Sequence, residues 1–89
     1  MKSYRFIISG LVQGVSYRKS VCNNAQKAGF RGYVKNLSDG TVEAAVTCDK
    51  DELDTFLSIL KAGSVISEVY NIDQNDDSEI YKGDFEIRY

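Results

Sequence analysis

Two segments hold the residues able to do chemistry: Gly10-Leu11-Val12-Gln13-Gly14-Val15-Ser16-Tyr17-Arg18 and Gly32-Tyr33-Val34-Lys35-Asn36-Leu37-Ser38-Asp39-Gly40-Thr41-Val42-Glu43. The first reads as a glycine-flanked loop that leaves a strand and enters a helix with Arg18 in its opening turn. Backbone N–H groups at a helix start are a preformed anion site, helped by the helix dipole. Gly10 and Gly14 let the chain curl closely around a ligand, and Arg18 closes the cradle with a planar fork that bonds two phosphate oxygens at once. The backbone so assigned runs through Gln13, Gly14, Val15, Ser16, Tyr17 and Arg18. In the second segment Asn36 ends a strand beside a tight turn. Its neutral amide can accept one hydrogen bond and donate others, but it cannot act as a base near neutral pH. One cation and one amide therefore point to a small enzyme working on a phosphorylated compound.

Other chemistries are harder to build. The loop is neither a Walker A sequence, which needs Gly-Lys-Ser/Thr, nor a dinucleotide-binding Gly-x-Gly-x-x-Gly. The chain has no histidine and two cysteines, so a Cys/His zinc site and a Ser-His or Cys-His nucleophile pair are both out of reach. Cys22 and Cys48 read as small buried apolar side chains, with a disulfide between them as the alternative. A formal net charge of -2 argues against a partner such as duplex DNA or RNA, whose binding rests on many lysines and arginines. It leaves room for one local anion site. No stretch reaches the roughly 20 apolar residues that span a bilayer, and the opening residues lack the pattern of a signal peptide. The expectation is a single domain over residues 1–89, cytoplasmic, without a membrane partner, and monomeric.

The elements that must position Arg18 and Asn36 follow from periodicity. Tyr4, Phe6 and Ile8 alternate with Arg5, Ile7 and Ser9, which predicts a strand with neighbours on both sides. Tyr17, Val21, Ala25 and Ala28 recur at spacings of four and three, one face of a helix from Ser16 to Ala28 with Ser16 as N-cap and Gly29 as stop. Residues 31–37 and 41–48 flank Ser38-Asp39-Gly40, a strong turn signal between two strands. Asp49 with Glu52 opens a second helix, whose Leu53, Phe56, Leu57 and Leu60 share a face as far as about Lys61. Residues 65–73 read as a fourth strand, the acidic 74–79 as an exposed loop, and Phe85, Ile87 and Tyr89 as a short last strand. The order βαββαβ is the ferredoxin-like α+β arrangement: a two-layer α/β sandwich with a mostly antiparallel sheet and two helices on one face.

In these motifs the chain resembles the acylphosphatase family, whose pattern is Gly-x-Val-Gln-Gly-Val-x-Phe/Tyr-Arg and, after a helix, Gly-Tyr/Trp-Val-Lys/Arg-Asn-x-x-Asp-Gly-x-Val-Glu. Here it stands as GLVQGVSYR and GYVKNLSDGTVE, with FEIRY similar to the family's last strand. The resemblance implies hydrolysis of a small-molecule acyl phosphate to a carboxylate and phosphate, without metal or other cofactor. It also implies that Arg18 and the loop bind phosphate and that Asn36 positions the water. Two positions depart from the pattern: Leu11 stands where arginine is common, and Ser16 where glycine or a large aromatic is frequent. The other readings of the same fold are a weakly catalytic anion-binding relative and an RNA- or ligand-binding module. The latter would present aromatics on the third strand for base stacking, and residues 41–47 have none.

Overall fold

The computed structural model describes residues 1–89. Its elements are β1 (Lys2–Leu11), α1 (Tyr17–Lys27), β2 (Arg31–Asn36), β3 (Val42–Cys48), a 3₁₀ turn (Lys50–Glu52) leading into α2 (Leu53–Ala62), β4 (Glu68–Asp77) and β5 (Glu86–Arg88). One sheet runs β4-β1-β3-β2-β5. All pairs are antiparallel except β2 with β5. This is the expected ferredoxin-like α+β fold, with β5 added beside β2.

Alternation decides which side chains meet the helices. Tyr4, Phe6 and Ile8 of β1 and Val42, Ala44 and Val46 of β3 point into one core with Tyr17, Val21, Cys22 and Ala25 of α1 and Phe56 and Leu60 of α2. Phe56 sits at the centre, its ring 5.4 Å from Phe6, 5.2 Å from Phe30 and 5.9 Å from Phe85. Each such fully buried ring contributes about 1.5–3 kcal/mol of transfer free energy. Ala28, expected on the buried face of α1, is exposed. It caps the helix end, where the chain turns away through Gly29, and Cys22 fills the face instead. Both cysteines are buried free thiols.

The sheet's other face is covered in part by the segment joining β4 to β5. Tyr81 packs against Tyr33 and Ala45 there, and its N–H donates to Thr47 Oγ1 at 2.8 Å. Asp77 anchors the start of the strap. Burial works against its charge, but the Tyr81 hydroxyl, the Glu79 N–H and the Arg5 guanidinium at 3.3 Å together hold its carboxyl below the usual range.

The fourth strand departs from expectation at both ends. Residues 65–67 precede it, and it runs on through Gln74, Asn75, Asp76 and Asp77, which were expected in a loop. These residues pair with Phe6, Arg5, Tyr4 and Ser3. The free edge of β1 needs partners for its N–H and C=O groups, and that demand outweighs the low strand propensity of Asp and Asn. The Asp76 carboxylate remains solvated, as suits an edge strand, while that of Asp77 is buried beneath the strap. No helix is long and apolar enough to cross a membrane.

Candidate active site

Topology brings three strand ends together. β2 and β1 both pair antiparallel with β3 and so run the same way, and β5 is parallel to β2. The loop after β1, Asn36 at the close of β2 and Tyr89 just past β5 therefore meet at one end of the sheet. They line a cavity of about 440 Å³ with Val12, Gly14, Ser16, Tyr17, Arg18, Lys19 and Ile87. Arg18 and Asn36, 18 positions apart in sequence, share it.

The loop from Val12 to Ser16 is held from three directions. Gln13 Nε2 donates to the carbonyls of Leu37 at 2.7 Å and Thr41 at 2.9 Å, tying the loop to the β2–β3 turn. The Ser64 hydroxyl donates to the Val15 carbonyl. Tyr17 reaches through the core to donate its hydroxyl to Leu60 O at 2.7 Å, and burial pushes its phenol well above the ordinary range. None of these bonds uses an N–H group of the loop. The first bond within α1 is from Ser20 N–H to Ser16 O, 3.1 Å, so the amides ahead of it have no acceptor inside the helix.

Two glycines expected to serve the loop divide their roles. Gly14, with φ 73° and open space where a Cβ would stand, belongs to it. Gly10 does not. It lies in the irregularity where β1 shifts register against β4, and a Cβ there would come within 2.1 Å of the Glu68 carbonyl. The small residue is required by the neighbouring strand.

Ser16 occupies the N-cap position but makes no capping bond through its side chain, because its backbone is left-handed at φ 61°, ψ 23°. A left-handed residue before a right-handed helix aligns successive N–H groups into an anion-binding concavity. The conformation costs a non-glycine residue about 1–2 kcal/mol. Ser16→Gly is expected to raise stability by about 0.5 kcal/mol, the strain relieved less the entropy glycine gains when unfolded. Urea unfolding would show this as a higher midpoint at unchanged slope.

The cavity carries two cationic side chains, Arg18 and Lys19, and no Asp or Glu side chain, although the chain as a whole has net charge -2. Arg18 is half-buried. Its Nη1 donates to the Arg88 carbonyl at 3.4 Å, and its guanidinium lies 5.0 Å from the centroid of the Tyr89 ring. Asn36 Oδ1 is buried and accepts no hydrogen bond from any protein donor. An acceptor left without a protein partner is suited to a water or ligand proton, and Asn36 is among the residues that line the cavity. Leu11, half exposed at the end of β1, lies outside the cavity. Lys19, Ile87 and Tyr89 escaped the sequence reading. The alternation of the last strand was the only signal for two of them, and Lys19 looked like any exposed helix residue.

Comparison with known proteins shows what the chain is similar to. The family model described as acylphosphatase matches residues 4–87. An acylphosphatase from Methanocella arvoryzae is 38% identical over 88 residues, spanning 99% of this chain and 100% of the relative. Among solved structures, an acylphosphatase from Bacillus subtilis superimposes with a TM-score of 0.90 at 35% identity, covering 100% of both chains. One from Coxiella burnetii gives 0.87 at 31% identity, covering 98% of this chain and 92% of the other.

Proposed function

The chain belongs to the acylphosphatase family, and on that premise we propose that the cavity at the ends of β1, β2 and β5 is its active site. The protein is an acylphosphatase: it hydrolyses the carboxyl-phosphate bond of acyl phosphates. The phosphoryl group sits on the N–H groups of Gln13 to Arg18 and under the guanidinium of Arg18, and Asn36 orients the attacking water. The observation that supports this assignment is the shared cavity, lined by Arg18, by Asn36 and by residues at the start of α1.

The water oxygen forms a bond to phosphorus as the bond from phosphorus to the acyl oxygen breaks. Negative charge on the equatorial oxygens is met by Arg18 and the loop amides. The leaving carboxylate has a conjugate acid of pKa about 4, so it departs with the bonding pair and needs no acid. The water proton passes to a phosphate oxygen of the substrate. Asn36 accepts a hydrogen bond from that water through Oδ1, which fixes its line of attack. Charge neutralisation comes from arginine and amides, and the reaction is metal-independent.

Hydrolysis of benzoyl phosphate is the direct test. Turnover is expected to persist in EDTA at its full rate, and a simple alkyl phosphate is expected to react roughly 10³-fold more slowly or worse, because its alkoxide must leave unprotonated. Loss of activity in EDTA that a divalent ion restores would contradict the metal-free mechanism. Equal rates on the two substrates would overturn the role given to the leaving group. Phosphate binding without turnover would favour a weakly catalytic relative.

A further inference from the structure

Tyr33 belongs to the Gly-Tyr-Val-Lys-Asn motif, yet it lies on the sheet face away from the cavity and touches nothing in it. What it does touch is Arg88. The Arg88 guanidinium sits 4.1 Å from the Tyr33 ring centroid, with Tyr81 further off at 5.9 Å, and its Nε donates to Glu86 at 2.7 Å. The Tyr33 hydroxyl donates to Glu43 at 2.6 Å, which fixes the ring.

We propose that Tyr33 is a positioning residue for Arg18, acting through Arg88 and the backbone of β5. β5 is an edge strand only three residues long, joined to the sheet by the pairs Tyr33–Glu86, Val34–Ile87 and Lys35–Arg88. A ladder so short frays readily. Side chains alternate along it: Ile87 packs toward the helices, Arg88 grips the tyrosine on the opposite face, and Tyr89 returns to the cavity side. The two groups that orient Arg18 are the Arg88 carbonyl and the Tyr89 ring. Both therefore depend on a cation–aromatic clamp on the far side of the sheet. With one Nη1 proton held by the carbonyl, the remaining guanidinium donors stay as a fixed fork for phosphate.

The role rests on the assignment of Arg18 to phosphate, and the experiment separates the two. Binding of inorganic phosphate is measured by titration calorimetry, alongside benzoyl phosphate kinetics and thermal melts, for wild type, Arg18→Ala, Tyr33→Leu, Tyr33→Phe, Arg88→Leu and the Tyr33→Leu/Arg88→Leu double variant. Tyr33→Leu and Arg88→Leu are each expected to weaken phosphate about tenfold, with KM rising more than kcat falls. The double variant should be no weaker than the worse single, since both break one link. Tyr33→Phe keeps the ring and loses the bond to Glu43. It should melt earlier yet bind phosphate within about twofold of wild type, a split that a merely structural role would not produce. Wild-type phosphate affinity in folded Arg88→Leu or Tyr33→Leu would overturn the role, as would a Tyr33→Phe variant as weak as Tyr33→Leu. Should Tyr33→Leu not fold, Arg88→Leu decides, its side chain being 44% exposed. If Arg18→Ala retains phosphate, the site assignment falls and the positioning role with it. If Arg18→Ala loses phosphate while both leucine variants keep it, only the positioning role falls.

Discussion

Arg18→Ala is expected to abolish phosphate binding and turnover together, lowering kcat/KM on benzoyl phosphate by about 10³- to 10⁵-fold, the range seen when an arginine that meets phosphoryl charge is removed. Two effects add. The ground state loses a charge-assisted fork to two oxygens, and the transition state loses compensation for the charge spread over three. Lys19 also lines the cavity but stands exposed, and a lysine ammonium cannot reproduce a planar bidentate contact. Arg18→Lys should therefore recover little. Folding should be almost indifferent. Arg18 lies at the protein surface and contributes one long hydrogen bond and one ring contact, so the melting curve should shift by no more than an exposed interaction allows, about 1 kcal/mol. A folded Arg18→Ala protein that still turned over benzoyl phosphate at a tenth of the wild-type rate would remove the guanidinium from the mechanism.

Local chemistry makes much of the molecule legible in its sequence. Alternation along Tyr4-Phe6-Ile8 marks a doubly paired strand, and Asp39-Gly40 marks the hairpin between β2 and β3. In the structure Asp39 Oδ1 accepts from Thr41 N–H at 3.0 Å and Thr41 Oγ1 at 2.6 Å, which closes that turn from within three residues. What escaped was set by partners far along the chain. Gln13 was assigned to the loop for its backbone, while its side chain bridges to carbonyls 24 and 28 residues away. The contact between Arg18 and Arg88 spans 70 residues. Neither has a periodic signature. The acidic end of β4 departs from expectation for a related reason: beyond Val69 and Ile72, which pack on the core, Gln74 to Asp77 carry no apolar alternation, and the pairing demand of β1 makes them a strand.

Charge shows the same division between chain and site. Thirteen Asp and Glu outnumber eleven Lys and Arg overall, yet none of the carboxylates lines the cavity. Several are spent elsewhere, Asp77 on Arg5, Asp76 on Lys2 and Glu86 on Arg88. A weakly acidic surface with one basic recess favours entry of a small anion without the broad basic footprint that nucleic acid requires.

Asn36→Ala separates catalysis from binding in a way Arg18→Ala cannot. The amide is assigned to the water, so kcat on benzoyl phosphate should fall about 10²- to 10³-fold, as when one preorganised polar contact to a reacting group is deleted, while affinity for inorganic phosphate stays within about twofold. Stability should move the other way. Asn36 Oδ1 is a buried acceptor with no protein partner, and such a group costs about 1–3 kcal/mol of desolvation to the extent that solvent does not satisfy it. Replacing it with a methyl group removes that cost, so the variant should be at least as stable as wild type by urea unfolding, a trade of function against stability expected where a site keeps polar groups unpaired for its reaction. Asn36→Asp supplies the contrast: the side chain keeps its shape but brings negative charge beside the phosphoryl oxygens, and both kcat and phosphate affinity should drop. Near-normal kcat in Asn36→Ala would strip Asn36 of its role with water, and a fall in phosphate affinity matching the fall in kcat would move it from the nucleophile to the phosphate.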